Sequence, residues 1–230
     1  MSDISILESS IHYTFKDKSL LEKALTHSSY ASEHGMDYSK NNERLEFIGD
    51  GYLDAIVGHK IFDIINTAHE GVLSRNRADV VREESLADIA RNIKLGDYIK
   101  LGKGEDSNNG RFKDSILSDA FEALLGAVVI DGGFEVAKQM VLRLFEEKIN
   151  LAVEGKLNKD YKSALQEKLQ DKYKNVNIRY NTVSESGPDH DKTFTVNVEI
   201  NGKLLGSGSG KSKSKAEQAA AYEVLSKGEF

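Results

Sequence analysis

The chain has 230 residues, with 31 Lys and Arg against 37 Asp and Glu, one Pro, no Cys and no Trp, for a net charge of −6. That length holds one large domain or two smaller ones, and 39% hydrophobic with 30% charged residues excludes a chain disordered throughout. The absence of cysteine excludes a disulfide framework, a thiol nucleophile, thiolate zinc and iron–sulfur ligation.

Met1 to Phe15 has neither a basic n-region nor an apolar h-region, and no run approaches the ~18 apolar residues of a membrane span. A cytoplasmic protein without a membrane partner is therefore expected. Apolar residues then recur at three and four: Leu45, Ile48, Tyr52, Leu53, Ile56, Val57, Ile61 and Ile64, and later Leu117, Ala120, Phe121, Leu124, Leu125 and Val128. No Pro interrupts residues 1 to 187. The pattern predicts an all-α domain over 1–154, with breaks at Glu33 to Asn41, His69 to Leu73 and Lys103 to Gly110. The polar run from Gly155 to Lys159 is expected to be a linker. From 160 to 230 the period changes, predicting a helix over Asp160 to Lys174, strands over Asn177 to Glu185, Lys192 to Asn201 and Lys203 to Gly208, and an Ala-rich helix over Lys213 to Ser226. The expected architecture is multidomain, an all-α domain followed by an α+β unit of order α-β-β-β-α. Its one low-complexity segment is Gly206 to Lys215. Charge divides at the same place: residues 1 to 155 hold 18 basic and 27 acidic residues, net −9, while 156 to 230 hold 13 and 10, net +3.

In the acidic domain, projecting Asn42 to Ile64 at ~100° per residue puts Glu43, Glu46 and Asp50 on one edge of the apolar stripe. Asp119 and Glu122, three apart, share a face with Gly126 on the other long helix. If those edges meet, carboxylates gather with no His or Cys among them, an oxygen-only set suited to Mg²⁺ or Mn²⁺. Gly49 and Gly126 would let the two backbones approach. The ordinary alternative is that these acids are simply solvated, as Asp54, Asp63, Glu83, Glu84, Glu146 and Glu147 are expected to be.

In the basic tail, Ser163, Gln166 and Gln170 fall on one helix face, Gly187-Pro188-Asp189-His190 reads as a turn between strands, and Lys211, Lys213 and Lys215 stand at the start of the last helix, where backbone amides and the dipole favour phosphate. Taken singly, each also reads as ordinary surface. No aromatic stacking stripe is present, which disfavours a single-stranded partner.

The run Asn42-Glu43-Arg44-Leu45-Glu46-Phe47-Ile48-Gly49-Asp50 resembles the ribonuclease III family signature N-E-R-L-E-F-L-G-D, differing only at Ile48. Thr26-His27-Ser28-Ser29-Tyr30, Glu70-Gly71-Val72-Leu73-Ser74-Arg75 and Leu117-Ser118-Asp119-Ala120-Phe121-Glu122-Ala123-Leu124-Leu125-Gly126 follow the family's order, and the tail looks like a double-stranded RNA-binding domain. The resemblance implies Asp50 and Glu122 as catalytic residues, and Glu46, Asp119 and Glu122 as ligands of Mg²⁺, with Mn²⁺ able to substitute. Glu43 takes a supporting or dimer role. For His27 and Glu70 a satisfied histidine and a capping acid are the preferred readings, with a supporting role as the alternative for Glu70. The implied activity is Mg²⁺-dependent hydrolysis of double-stranded RNA by a homodimer, leaving 5′-phosphate and 3′-hydroxyl ends with short 3′ overhangs. Its implied substrates are ribosomal RNA precursors and some messenger and transfer RNA precursors, with no small-molecule cofactor. In the tail, Ser163, Gln166 and Gln170 would meet one minor groove, Pro188, Asp189 and His190 the next, and the three lysines the phosphates between. Gly51, Tyr52 and Asn76 depart from the family's usual residues. A duplex-binding protein without catalysis is the rival reading, and a small-molecule phosphohydrolase a third.

Overall fold

The computed structural model describes residues 3–157, 161–173, 176–187 and 192–228. The chain divides into two compact units, Met1–Asn158 and Lys159–Phe230. The described part of the first is helical: α1 (Ile4–Ile11), α2 (Lys18–Ala24), α3 (Ser28–Glu33), α4 (Glu43–Ile64), α5 (Glu70–Val81), α6 (Glu83–Asn92), α7 (Lys103–Ser107), α8 (Asp114–Gly132), α9 (Phe134–Leu144) and α10 (Glu146–Val153). The second holds α11 (Tyr161–Lys172), β1 (Ile178–Ser186), β2 (Thr193–Ile200), β3 (Lys203–Gly210) and α12 (Lys213–Lys227).

In the first unit α8 is the axis. Apolar or small on nearly every side, it buries Ile116, Leu117, Ala120, Phe121, Ala123, Leu124, Leu125, Gly126, Ala127 and Val128, as a helix hydrophobic all round must. Against it lies α4, burying Leu45, Gly49, Leu53, Ile56, Val57 and Ile61. The expected α4 stripe is wider than the buried one, because Tyr52 and Ile64 are exposed and Tyr52 instead lies 6.0 Å from the ring of Phe134. Glycine sets the spacing between α4 and α8. A Cβ on Gly49 would stand 1.8 Å from the carbonyl oxygen of Glu122, and one on Gly126 2.1 Å from that of Leu45.

Two of the expected breaks are shorter than their polar composition suggests. Helix α5 begins at Glu70, inside the segment His69 to Leu73. Lys103 to Gly110 is not a loop throughout, since it contains α7. There the Lys103 amide donates to the Glu33 carboxylate at 2.6 Å, and Arg111 and Lys113 pair with Asp106 and Glu105. Those partners stabilise a turn that the local sequence alone would leave irregular. After α10, the amides of Lys156 and Leu157 bond back to the Leu151 carbonyl at 2.7 and 3.0 Å.

In the second unit the sheet order is β1-β2-β3, antiparallel, with Ile178 opposite Ile200 and Phe194 opposite Gly210. Asn201 and Gly202, both at positive φ (51° and 81°), make the two-residue turn between β2 and β3. One sheet face and the helices bury Leu165, Leu169, Val198, Ile200, Ala220, Ala221 and Val224. The segment Gly206 to Gly210, compositionally biased in sequence, is a strand whose alternate glycines face α12. A Cβ at Gly208 would lie 2.1 Å from the Ala220 nitrogen, and one at Gly210 2.7 Å from that of Ala216.

These glycines differ in what a methyl group would meet. Gly51 is exposed in α4, and a Cβ there would find nothing within 4 Å, so Gly51→Ala should stabilise the helical unit by up to ~1 kcal/mol and raise its melting temperature by about 2–4 °C. Gly49→Ala forces α4 off α8 and should cost about 3 kcal/mol or more. Thermal melts of the two variants beside the parent check both signs.

Candidate metal centre and RNA-facing surface

The α4 end of the site starts from a buried turn. The Asn42 amide donates to the Thr26 carbonyl at 2.9 Å, and Asn41 Oδ1 accepts from the Glu43 amide at 3.2 Å, so Asn41 supplies the side-chain cap while Asn42 offers none. Glu43 and Glu46 then fall in the first turn, at the positive end of the helix dipole. On α8, Asp119 and Glu122 are half-buried acids in the apolar middle of the helix, between Asp114 and Asp131 near its ends. Ser118, buried beside them, donates to the Ser115 carbonyl at 2.9 Å.

Because the backbones touch at Gly49 and Gly126, Glu46, Asp119 and Glu122 converge. Each offers an oxygen within 4.8 Å of the other two. That spacing lets one cation reach all three, and an all-carboxylate set fits a hard divalent ion better than a soft one. Burial, then the charges of Asp119, Glu43 and Asp50, pushes Glu46 up to about 7. Glu122 is pushed up to about 8 by burial, then by Asp50, Glu46, Asp119 and Asp54. Asp119 is raised by burial as well, against the opposing pull of Ser118 and His27. Like charges crowded this way hold protons unless a cation neutralises them. Asp50 is exposed and not one of the three converging groups, yet it acts electrostatically on both Glu46 and Glu122.

The flanking residues have local partners. His27 caps α3: its Nδ1 accepts from the Ser29 amide at 3.2 Å and lies 2.8 Å from Ser29 Oγ, which in turn accepts from the Gly102 amide at 3.0 Å. Burial pushes the His27 imidazole down. Glu70 is exposed in the first turn of α5 and accepts from Ser74 Oγ at 2.6 Å. Tyr38 escapes a sequence reading. It precedes the signature in a short 3-10 turn, and the nearby Glu43 carboxylate raises its phenol pKa. Its only sequence signal is adjacency to Asn42. Asp54, expected to be solvated, is also among the charges raising Glu122.

In the second unit, Ser163, Gln166 and Gln170 are exposed on α11, away from the buried Leu165 and Leu169. Pro188, Asp189 and His190 lie outside the described residues. Lys211, Lys213 and Lys215 lie around the start of α12, whose cap is Ser212 Oγ accepting from the Lys215 amide at 3.2 Å. Lys211 Nζ donates to Thr193 Oγ1 at 3.3 Å, while Lys213 Nζ pairs with Glu185 at 3.0 Å and sits 5.7 Å from the Phe194 ring centre.

A pH dependence follows for the cation-free protein. Glu46 and Glu122 titrate near 4.5 when unfolded but near 7 and 8 when folded. The folded state thus binds more protons in between, and their stabilising contribution, complete below about 4.5, is lost as pH rises through 7 to 8. In chelator the melting temperature should fall between pH 5 and 8.5, and added Mg²⁺ should raise it more at pH 8.5 than at pH 5. Differential scanning fluorimetry at the two pH values checks this, and a larger rise at pH 5 contradicts it.

Comparison with known proteins matches this arrangement to a family. Residues 17–149 match the ribonuclease-III-like family model, and residues 161–227 match the double-stranded RNA binding motif. The chain is 48% identical over 224 residues to Ribonuclease 3 of Caldanaerobacter subterraneus subsp. tengcongensis, covering 97% of each chain, and 46% identical over 225 residues to Ribonuclease 3 of Campylobacter fetus, covering 98% of each. The crystal structure of the nuclease domain of ribonuclease III from Campylobacter jejuni aligns with a TM-score of 0.59 at 48% identity, covering 64% of this chain and 96% of that one. A second structure of that domain, with the same TM-score and identity, is described for flexibility in a region involved in dimer formation. Among the described residues no helix is long and apolar enough to cross a membrane. With a helical unit that gathers three carboxylates and a second unit built as an RNA-binding module, this chain belongs to the ribonuclease III family and is an endoribonuclease carrying a double-stranded RNA-binding domain.

Proposed function

We propose that the protein hydrolyses phosphodiester bonds within double-stranded RNA using Mg²⁺, and that its working parts are a nuclease domain over 1–154, a linker over 155–159 and an RNA-binding domain over 160–230. The observation that carries this reading is the convergence of Glu46, Asp119 and Glu122 within 4.8 Å, in a chain that also holds a duplex-RNA module. Those three carboxylates would hold the ion, with Mn²⁺ able to take its place. A divalent cation so bound supplies charge stabilisation to the phosphate and makes a water more acidic. In the reaction, water oxygen adds to phosphorus, the P–O3′ bond breaks, and the leaving oxygen takes up a proton. The products are a 5′-phosphate and a 3′-hydroxyl. Glu122 and Asp50 are the catalytic residues of this proposal, Glu122 as ligand and Asp50, exposed and acting electrostatically on Glu46 and Glu122, as the group that orients the attacking water. Glu43 takes a supporting role by adding negative charge beside Glu46, which raises the proton affinity of Glu46 in the cation-free site, and Glu70 acts locally, through Ser74, in the first turn of α5.

A duplex has antiparallel strands related by local twofold axes, so a twofold homodimer with one site per subunit cuts both strands and leaves short 3′ overhangs. Phe47, 79% exposed, and Ala55, exposed two turns further along α4, lie on a face that suits a second copy. The description of the Campylobacter jejuni domain supports the same assembly. For the tail, Ser163, Gln166 and Gln170 offer short donors to a minor groove, Pro188, Asp189 and His190 to the next, and Lys211, Lys213 and Lys215 charge to the phosphates between. The substrates follow from kinship: ribosomal RNA precursors and some messenger and transfer RNA precursors, in the cytoplasm.

Incubating the full chain with perfect duplex RNA, with and without Mg²⁺ and beside a single-stranded control, tests the reading. Glu122→Gln keeps the side-chain volume and removes one negative ligand, so cleavage at low Mg²⁺ should be lost while duplex affinity survives, with partial rescue by Mn²⁺. Near-parental cleavage by this variant at low Mg²⁺ would remove Glu122 from the site. Lys211→Ala with Lys213→Ala should weaken duplex binding and flatten the log–log salt dependence by about 0.7 to 0.9 per lost phosphate contact. Filter binding across a salt series measures the slope, and an unchanged one leaves these lysines as surface charge.

A further inference from the structure

Beyond the converging triad, the acidic edge of α4 continues. Asp54 lies one turn past Asp50 on the same helix face, close enough to Glu122 to count among the charges that raise it. A polyanion entering the site therefore also meets Asp50 and Asp54, on the side away from Glu43. One basic side chain is set at that end. Arg77, from α5, runs its stem against α4 at Gly58: a Cβ on Gly58 would lie 3.3 Å from Arg77 Cδ. The side chain then ends at Asp54, with Nε 3.8 Å from Oδ1.

Three features distinguish this arginine from a structural one. At 3.8 Å the contact is an ion pair and not a hydrogen bond, so it leaves the fork's N–H donors to be offered elsewhere. Both partners are accessible, at 43% and 41% side-chain exposure, and an exposed pair of this kind is readily exchanged for another anion. By contrast, Arg111 donates to the Gly96 and Ile99 carbonyls at 3.1 and 2.8 Å, and Arg143 to those of Ser10 and Ile11 at 3.3 and 2.5 Å, so those guanidinium groups brace the backbone. Planar, permanently charged and bidentate, a guanidinium with donors to spare matches a phosphodiester.

We infer that Arg77 is an RNA-binding residue of the nuclease unit: it leaves Asp54 to grip a backbone phosphate next to the scissile one, and so holds the strand against the acidic edge of α4. This rests on the reading of the chain as a duplex-RNA endonuclease. Asp54 serves as a resting partner that keeps the guanidinium aimed along α4 before RNA arrives.

The test compares Arg77→Gln, Arg77→Lys and Asp54→Asn with the parent in the full chain, using a perfect RNA duplex in Mg²⁺ over a salt series, with melting temperatures alongside. Arg77→Gln should raise KM several-fold and flatten the dependence of log kcat/KM on log salt by about 0.9, the signature of one lost phosphate contact. Arg77→Lys should restore the slope, since it keeps the charge, and recover only part of KM, since it loses the fork. Asp54→Asn should leave KM unchanged or lowered. A parental salt slope in a folded Arg77→Gln would overturn the assignment. So would an Asp54→Asn variant that reproduces the Arg77→Gln defect, because Arg77 would then act only by pairing with Asp54. Failure of the parent to cut the duplex would instead sink the underlying activity, and the two results are distinguishable in the same assay.

Discussion

The helical unit depends on one steric fact: α4 and α8 touch backbone to backbone. A methyl group on either Gly49 or Gly126 would fall about 2 Å from a carbonyl oxygen of the opposite helix, far inside any contact distance that a packed interior tolerates. The close crossing does two things at once. It buries the apolar sides of both helices in one core, and it draws acids from the two rims into a space that three carboxylates share. With larger residues at the crossing the same acids would stand apart, each hydrated by itself.

That proximity carries a cost which the fold does not relieve internally. Among the described residues no lysine or arginine forms an ion pair with Glu46, Asp119 or Glu122, and burial together with mutual repulsion favours their protonated forms. A site in this state is preorganised for a cation: its ligands are fixed by helix packing and its charge is uncompensated. The surrounding polar groups hold the frame instead. Asn41 caps α4, Thr26 anchors Asn42, and the Gly102–Ser29–His27 hydrogen bonds fasten the start of α3. His27 is thus a structural cap, and burial lowers the basicity of its imidazole.

The second unit uses the same device in another form. Alternate glycines of β3 lie under the small residues Ala216 and Ala220 of α12, so strand and helix approach as closely as their backbones permit. This contact fixes the start of α12 relative to the end of the sheet, where Lys211 and Lys213 meet Thr193 and Glu185. The placement of the basic cluster is therefore a result of small-residue packing, while its charge is a matter of composition.

Much of this was legible in the sequence because periodicity and charge are local properties. Apolar spacing of three and four marks α4 and α8, alternation marks the three strands, and the change of charge sign falls where the chain divides into two units. The nine-residue signature named Glu46 and Asp50, and the pairing of glycines with acids anticipated that two helices would meet. Tertiary structure decided the rest. It set the distances among Glu46, Asp119 and Glu122, the ligands that the family resemblance implies, and left Asp50 exposed outside the converging set, since a helical projection gives the direction of a side chain and not its distance from another helix. It made α7 out of a polar segment through contacts with Glu33, Arg111 and Lys113, carried the expected third strand on to Gly210 and packed its glycines against α12, and set Arg77 beside Asp54, twenty-three positions away in the chain. Sequence determined which chemical groups each element carries, whereas their distances, and hence their coupled charges, arise only when helices far apart in the chain are pressed together.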